Sequence, residues 1–327
     1  MRRALTDSWE LGGIRLPNRL VLAPLAGIGN WFVRLQAKRH GAGLVVSEMV
    51  SSFGLKHGNE RTVREFLRIH PEAHPVSIQL FGHDPDVMRE AAGMVAEAGA
   101  ELIDLNMGCP VRKVCKTGAG AALLEDPAKA VALARAAGEG SGLPVTVKLR
   151  PGQRPGERGG VELARRLAQE AGVAGIAFHP RHASQQHKGR PDYALAAELV
   201  EALDVPVMLS GGLLSDERVV EGFEQSGAAA VMLARGSLGD PWRFERLLGL
   251  RDGPPGHDEV IAELEWVIAS AEEHLGSERA SRYLRKFYPW YAEHLGLTRK
   301  EQNPLLTAES TADARALLRS IEPSVAA

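Results

Sequence analysis

The reactive chemistry of the sequence is concentrated in the segment Asn106-Met107-Gly108-Cys109-Pro110. Glycine and proline on either side of Cys109 favour a rigid turn, which holds the cysteine side chain in one direction. A thiol held in this way can act as a nucleophile or as a proton donor. The second cysteine, Cys115, lies in the basic stretch Arg112-Lys113-Val114-Cys115-Lys116, where nothing in the sequence gives it a role.

Lys148 is the second candidate, because it stands near the end of the apolar run at residues 144–149. Burying a lysine charge is costly unless an anionic partner is present or the amine takes part in chemistry. The position therefore suits a Schiff-base lysine or a contact to the electron-rich ring of a cofactor. A lysine that buries only its aliphatic stem is the structural alternative.

Two further segments favour the binding of an anion. Ser210-Gly211-Gly212 and Ala234-Arg235-Gly236 can expose backbone N–H groups, and Arg235 adds a guanidinium suited to phosphate. The two segments together indicate a phosphorylated ligand or cofactor and do not identify it.

The elements that must position these residues follow a regular pattern. Apolar runs of strand length start near residues 20, 44, 76, 102, 145, 175, 206 and 230. Amphipathic segments such as 85–98 and 161–170 lie between the runs and predict helices. Strands that alternate with helices imply a parallel sheet, and eight such units predict an α/β fold, a closed (β/α)8 TIM barrel. A doubly wound open sheet is the alternative, and it is weakened because no Gly-x-Gly-x-x-Gly follows the first run.

In such a barrel the active-site residues follow the strands, and the last two strand ends commonly bind phosphate. Most of the predicted strands end in a polar residue or in a residue that exposes its backbone. These residues are Pro24, Ser47-Glu48, Gln79, Asn106 with Cys109, Lys148, His179 with Arg181, Ser210-Gly211-Gly212 and Ala234-Arg235-Gly236.

A second domain is expected after the linker-like sequence Arg251-Asp252-Gly253-Pro254-Pro255-Gly256. The predicted helices there span residues 262–274, 280–294 and 311–320, and no strand is predicted. The sequence thus divides into a barrel at 1–250 and a small all-α domain at 257–327.

The stretch 279–300 of this domain carries six Lys or Arg residues against one acid, and five aromatic residues lie among them. This composition fits contact with RNA phosphates. Taken alone, it fits a solvated face over a domain core better, and many of the aromatic residues are then expected in that core.

Composition sets the remaining bounds. Charged residues make up 24% of the 327 residues and hydrophobic residues 44%, which is the balance of a soluble globular protein. No run approaches the length of a membrane span, and the polar N-terminus predicts no signal peptide. Two cysteines form neither a disulfide framework nor a zinc site. The expectation is a cytoplasmic monomer with no membrane partner and no metal, and any nucleic-acid binding must come from a local patch because the net charge is −2.

Together these segments resemble the tRNA-dihydrouridine synthases, in particular the bacterial B-type group. The resemblance runs from about residue 10 to 300, and Asn106 to Pro110 is its most specific part. It rests on Ala23-Pro24-Leu25-Ala26-Gly27, Val46-Ser47-Glu48-Met49, Leu105 to Val114, Gly118 to Leu124, Met232-Leu233-Ala234-Arg235-Gly236 and Gly239-Asp240-Pro241-Trp242.

The resemblance implies FMN at the barrel mouth. The isoalloxazine is expected against the backbone of Pro24, Leu25 and Ala26, with Gln79 and Lys148 at its polar edge and His179 nearby. The phosphate is expected at Ser210, Gly211, Gly212, Ala234 and Arg235.

The resemblance also implies a reaction. NADPH reduces FMN, hydride passes to C6 of a uracil in tRNA, and Cys109 protonates C5 from the opposite face. The base must leave its stack to reach the cofactor. RNA or substrate contacts are expected at Asn106, Arg112, Lys113, Arg181, Arg282, Arg285 and Lys286.

The sequence departs from the family pattern mainly at substrate-facing positions. Where the family has methionine, Thr-Asp and His-Gly-Arg-Thr-Arg, this sequence has Leu25, Gly29-Asn30 and His179-Pro180-Arg181-His182-Ala183. Where the family has Asn-Gly-Asp and a C-terminal histidine, this sequence has Ser210-Gly211-Gly212 and Phe287, and His187 lies near the position of a family aromatic residue. Two other functions therefore remain as alternatives: an FMN-barrel oxidoreductase acting on a free pyrimidine or other small molecule, and a non-enzymatic RNA-binding protein. The second is disfavoured by Cys109, Lys148 and Arg235.

Overall fold

The structure is a computed structural model that describes residues 3–58 and 60–322. The chain packs as two compact units, Met1–Gly236 and Ser237–Ala327. The strands, all in the first unit, are β1 (Trp9–Leu11), β2 (Ile14–Leu16), β3 (Leu20–Leu22), β4 (Leu44–Ser51), β5 (Val76–Phe81), β6 (Leu102–Met107), β7 (Val145–Leu149), β8 (Gly175–Phe178), β9 (Val207–Ser210) and β10 (Ala230–Leu233).

Strands β3 to β10 form a closed barrel of parallel strands, in which β10 pairs with β3 and places Val231 opposite Leu20. The predicted barrel is therefore confirmed, and each strand starts within one residue of its predicted position. Four of the starts were predictable from a glycine turn directly before an apolar run, and the other four from the apolar run alone.

Helices α1 to α9 connect the strands of the first unit, and they begin and end with local signals. The predicted helices at 85–98 and 161–170 are α4 and α7. Gly172 and Gly227 end α7 and α9 in the left-handed conformation, as glycine at a helix C-terminus allows. The helices are α1 (Trp31–Arg39), α2 (Ser52–His57), α3 (Glu60–Leu67), α4 (Pro85–Glu97), α5 (Arg112–Cys115), α6 (Pro127–Ser141), α7 (Gly159–Ala171), α8 (Tyr193–Ala202) and α9 (Asp216–Ser226).

Strands β1 and β2 form an antiparallel hairpin that the sequence patterns did not reveal, because each strand has only three residues. The hairpin packs against the first residues of several barrel strands: Trp9, Leu11 and Leu16 form one buried cluster with Val21, Leu44, Leu102, Met208 and Met232. It thus plugs the end of the barrel where the strands begin, opposite the end that carries the candidate site.

The second unit contains α10 (Trp242–Leu247), α11 (His257–Leu275), α12 (Ser277–Leu284), α13 (Tyr288–Ala292), α14 (Arg299–Thr307) and α15 (Thr311–Arg319). Its described residues, 237–322, contain no strand, so the expected helical C-terminal region is present. The predicted limits of 250 and 257 stay a prediction, and packing divides the chain at Gly236.

One predicted helix of this unit was wrong. The segment 280–294 is broken into α12 and α13, because Pro289 has no N–H to continue a helix and stands at the start of the new one. Helix α14 was not predicted, although Thr298 and Glu301 form a capping box that marks its start.

Candidate active site

A cavity of about 400 Å³ opens at the ends of the barrel strands. It is lined by every residue predicted to contact the cofactor, from Pro24 to Arg235, and by Cys109, Asn106 and Arg181. Arg112 and Lys113 lie on α5 with exposed side chains and are not among its lining residues. The predicted residues from seven of the eight barrel strand ends therefore meet at one cavity, as expected for this fold.

Strand register brings the polar residues of β5, β6 and β7 to the inside of the barrel. Gln79 stands opposite Asp104, Asp104 opposite Thr146, and Asn106 opposite Lys148. Because side chains alternate along a strand, residues 104 and 106, like 146 and 148, share one face.

These side chains are joined by hydrogen bonds. Gln79 Nε2 donates to Asp104 Oδ2 at 2.6 Å, and Thr146 Oγ1 donates to Asp104 Oδ1 at 2.7 Å. Asn106 Nδ2 donates to Gln79 Oε1 at 2.9 Å. Asp104, which is 1% exposed, thus lies directly beneath the cavity floor.

The loop at residues 108–111, called here the Cys109 loop, is anchored from both sides. Asn106 Oδ1 accepts from the backbone N–H groups of Gly108 at 3.3 Å and Cys109 at 2.9 Å. The Cys109 carbonyl accepts from the Ala121 N–H at 3.0 Å and from the Cys115 thiol at 3.3 Å. Cys115, for which no role was predicted, therefore supports the loop that carries Cys109.

The Cys109 thiol is partly buried, and burial raises its pKa above the ordinary value of a thiol. The nearby charges of Arg150 and Lys148 oppose this effect more weakly. At neutral pH the side chain is therefore the neutral thiol, which can donate a proton.

Arg150 was missed by the sequence reasoning, although it directly follows the run that ends at Leu149. It is 4% exposed and donates to the carbonyl oxygens of Gly108, Arg181 and Gln186 at 3.0, 3.0 and 3.1 Å. Burial lowers its pKa to about 10, so it stays charged. Arg150 thereby ties the Cys109 loop to the loop after β8.

Lys148 and Asp104 have pKa values shifted in opposite directions by the same cause. Burial lowers the pKa of Lys148, and the charge of Arg150 lowers it further. Burial raises the pKa of Asp104, while hydrogen bonds from Gln79 and Thr146 and the charge of Lys148 oppose that rise. Because each charge favours the charged form of the other, the interior of the barrel can hold both.

His179 is 6% exposed, and its Nε2 lies 3.2 Å from Arg181 Nη1. Burial and the charges of Lys148, Arg150 and Arg181 hold the pKa of His179 well below its ordinary value, so the ring is neutral. Because a guanidinium can only donate, Nε2 accepts and the proton lies on Nδ1. The ring is stacked on His187, with centroids 6.1 Å apart.

On the far side of the cavity from Gln79, the wall beside His179 is formed by glycine and backbone rather than by polar side chains. Gly211 and Gly212 have positive φ angles of 94° and 78°, and the Cβ of any other residue at 211 would lie 2.2 Å from the His179 ring. The Tyr193 hydroxyl donates to the Gly211 carbonyl at 3.2 Å. With Arg235 on the same side, this wall suits an anionic group.

The cavity as a whole combines donors for the polar edge of a flat ring, at Gln79 and Lys148, with an anion site on the other wall. Other lining residues were not identified from sequence, namely Met49, Gln186, Leu213, Leu214 and Met232. Asp104 and Thr146 lie behind the lining, and the only signal for Asp104 was an acid within an otherwise apolar run. Among the described residues, no group of three His, Cys, Asp or Glu side chains could hold a metal ion.

The predicted RNA contacts of the second unit are exposed basic residues that also make local contacts. Arg282 forms an ion pair with Glu278, and Arg285 Nη2 donates to the Ala308 carbonyl at 3.4 Å. Lys286 Nζ lies 4.1 Å from the centre of the Tyr283 ring. The aromatic residues Phe287, Tyr288 and Tyr291 are buried, so part of the aromatic set is core, as expected.

The closed barrel with a polar cavity at its strand ends defines a (β/α)8-barrel protein with an enzyme-like site, and solved structures share this fold. A morphinone reductase variant in complex with tetrahydroNAD superposes with a TM-score of 0.59 at 15% identity, covering 77% of this chain and 93% of that chain. The old yellow enzyme homologue from Zymomonas mobilis gives 0.57 at 16% identity, covering 76% and 94%. At these identities the likeness concerns the fold alone.

The sequence identifies the family. Residues 21–322 match the Dihydrouridine synthase (Dus) family, and the chain belongs to it. It is 38% identical over 287 residues to tRNA-dihydrouridine synthase B of Pseudomonas aeruginosa, covering 86% of each chain. It is 34% identical over 293 residues to tRNA-dihydrouridine synthase B of Xanthomonas axonopodis pv. citri, covering 87% of this chain and 86% of that relative. The resemblance seen in the motifs is therefore confirmed.

In the described part of the chain, no helix combines the length and the apolar character needed to cross a membrane.

Proposed function

We propose that this protein is a flavin-dependent tRNA-dihydrouridine synthase, which reduces uridines in tRNA to 5,6-dihydrouridine. Family membership and the activity named for its relatives support the reaction. The observation that carries the proposal to this site is the neutral Cys109 thiol, held by its loop at a cavity that also presents Gln79, Lys148 and an anion-binding wall.

The cofactor is FMN, and the chemistry of the cavity fits it. The polar ring edge faces Gln79 and Lys148, the backbone of Pro24 to Ala26 contacts the ring, and His179 lies nearby. The phosphate binds at Ser210, Gly211, Gly212, Ala234 and Arg235. When bound, FMN supplies the two electrons for the reduction of uracil, and NADPH restores them.

Cys109 is the proton donor. Addition of hydride to C6 would leave negative charge at C5 and O4, and a neutral thiol can then protonate C5 and become a thiolate. The raised pKa of Cys109 keeps its proton in place until the base arrives. Lys148, with its lowered pKa, stays a cation while the barrel holds Asp104 as a carboxylate beside it.

RNA binding involves Arg112 and Lys113 near the Cys109 loop and Arg282, Arg285 and Lys286 in the helical unit. Arg181 is different, because it is 5% exposed and its guanidinium donates to the Gly189 carbonyl at 2.8 Å. Its proposed role is to orient His179 at the cavity wall. The enzyme acts as a monomer in the cytoplasm, where tRNA is found.

The test uses the purified protein in two steps. The protein should carry oxidised flavin that NADPH reduces, and unmodified tRNA transcript should reoxidise it with formation of dihydrouridine. Free uridine or uracil should fail to do so at equal concentration. Reoxidation by the free pyrimidine but not by tRNA would replace this proposal with a small-molecule oxidoreductase, and a protein without flavin would exclude both. Mapping dihydrouridine in tRNA from cells lacking the protein then identifies the position.

A further inference from the structure

Asp104 is a buried ionisable group that no step of the proposed reaction uses. It does not line the cavity, and its two carboxylate oxygens each accept one hydrogen bond, from Gln79 Nε2 and from Thr146 Oγ1. Two donors aimed at the two oxygens are the environment of an ionised carboxylate, which can only accept. The Asp104 carboxylate therefore determines that the NH₂ group of Gln79, and not its carbonyl oxygen, faces it.

The same constraint then determines the orientation of the side-chain amides of Gln79 and Asn106. Because Asp104 takes the Nε2 of Gln79, the Oε1 of Gln79 must face Asn106, and it accepts there from Asn106 Nδ2. The Oδ1 of Asn106 then faces the Cys109 loop and accepts from the N–H groups of Gly108 and Cys109.

The other end of this series of hydrogen bonds, at the Cys109 loop, independently requires the same orientation of the Asn106 amide. A backbone N–H can only donate, so only an oxygen of Asn106 can satisfy Gly108 and Cys109. A carboxylate at one end and two N–H groups at the other thus agree on how both amides point.

We propose that Asp104 is a positioning residue that fixes the amide orientations of Gln79 and Asn106, and through Asn106 holds the Cys109 loop in place. The proposal depends on the proposed function only for the role of Cys109 as proton donor. The role of Asp104 in holding the loop is inferred from the hydrogen bonds alone. It also assigns Asn106 to the protein's own loop rather than to the base alone.

The reactivity of the thiols gives a readout that needs neither tRNA nor turnover. The chain has two cysteines, and trypsin cleaves between them at Arg112 and Lys113, so peptide mass spectrometry follows each thiol separately during alkylation by iodoacetamide. Loosening the loop exposes the partly buried Cys109, which increases its thiolate fraction and its rate of alkylation. Because the Cys115 thiol itself donates to the Cys109 carbonyl, the reference for each thiol is its alkylation rate in the unfolded protein.

Asp104→Leu removes both acceptor oxygens. Cys109 should then be alkylated roughly two- to tenfold faster than in the wild type, the factor that an ordinary hydrogen bond contributes. Asp104→Asn keeps one oxygen for Gln79 if its amide nitrogen turns to Thr146, whose hydroxyl can donate to the Ile103 carbonyl 3.5 Å away. It should therefore restore the slow rate.

Thr146→Val is the matched control, because it changes the same buried carboxylate on the side away from Gln79. The Cys109 rate should stay near that of the wild type. If Asp104→Leu does not fold, as thermal unfolding would show, Gln79→Met breaks the same chain one link further and should give the same faster alkylation of Cys109.

A double-mutant cycle identifies the path. In the Asn106→Ala background, Asp104→Leu or Gln79→Met should add nothing to the alkylation rate, because the link to the loop is already absent. An unchanged Cys109 rate in both Asp104→Leu and Gln79→Met, or full-size effects that persist without Asn106, would overturn the inference. Faster alkylation together with a wild type that fails to reduce tRNA would contradict the proposed function alone.

Discussion

The charged residues beside the cavity of the barrel unit and the basic residues of α12 and its end in the helical unit differ in their surroundings. In the barrel, Asp104, Lys148 and Arg150 are enclosed near the cavity, and burial shifts the pKa of each. In the helical unit, Arg282, Arg285 and Lys286 are exposed. Buried charges at a cavity affect bound groups directly, whereas exposed charges attract a polyanion at a distance and are screened by salt. The buried set is therefore suited to chemistry at the cavity, and the exposed set to the RNA attraction that we propose for it.

Changing Cys109 should give the largest effect. Cys109→Ala removes the proposed proton donor, so the rate at which tRNA reoxidises the pre-reduced enzyme should fall by about 10²–10⁴-fold, the usual contribution of general acid catalysis. Flavin content, its reduction by NADPH and tRNA affinity should remain. The measurement is single-turnover flavin reoxidation.

Cys115→Ala is the control for this prediction. It loses only a weak hydrogen bond from the thiol to the Cys109 carbonyl, so the rate should stay within about threefold of the wild type. A wild-type rate in Cys109→Ala, or a larger loss in Cys115→Ala, would show that the proton donor is misassigned.

Removing Arg235 should affect the cofactor and not the thiol. Arg235→Ala deletes the charge-assisted contact that we propose to the FMN phosphate, of about 1.5–3 kcal/mol, so FMN affinity should fall roughly ten- to a hundredfold. Titration of the apoprotein with FMN measures this. Riboflavin, which lacks the phosphate, should bind the variant and the wild type equally. An unchanged FMN affinity would count against the phosphate site on this wall.

The pH dependence separates Cys109 from the other titrating groups. A donor works only while it is protonated, and burial places the pKa of Cys109 above 9.0, the ordinary value. The ratio of the wild-type rate to that of Cys109→Ala should therefore be constant from about pH 6 to about pH 8 and fall about tenfold per pH unit above the thiol's pKa. Taking the ratio cancels effects of Lys148. A ratio that already falls at neutral pH would mean that the thiol is not the donor.

The charges of the helical unit should give the smallest change in rate. Replacing Arg282, Arg285 and Lys286 by Gln should weaken tRNA binding and reduce the slope of log affinity against log salt by up to about 3. NADPH reduction of the flavin should be unchanged. If the variant and the wild type bind tRNA equally at every salt concentration, these three residues do not attract RNA. If the variant loses flavin reduction, the three residues are not confined to RNA binding.

The sequence predicted the barrel because its signals are local. Each strand is a short apolar run, four of the runs follow a glycine turn, and the chemistry-bearing residues lie at or just after the ends of the runs. The same locality explains the errors in the helical unit, where Pro289 interrupts a continuous amphipathic pattern that otherwise reads as one helix.

Asp104 and Arg150 could not be interpreted from sequence because their partners come from other strands or loops. The partners of Asp104 are on β5 and β7, and Arg150 donates to carbonyls in two loops. Strand register determines the contacts of Asp104, and the sequence shows register only indirectly, through the spacing of residues. Gly211 is similar, since its close approach to His179 depends on the packing of two loops.

The pairing of β10 with β3 also determines when the site can exist during synthesis. Val231 N donates to the Arg19 carbonyl and Ala23 N to the Leu233 carbonyl, at 2.9 and 2.7 Å, so the barrel closes through residues more than 200 positions apart. At about 5–20 residues per second, a ribosome needs roughly 10–40 s to make the chain between them. The nascent chain therefore displays Cys109 and its loop well before the cavity can close around a cofactor. Closure across so many residues has an entropic cost, and a cavity lined by both Pro24 and Arg235 can form only after β10 has been made.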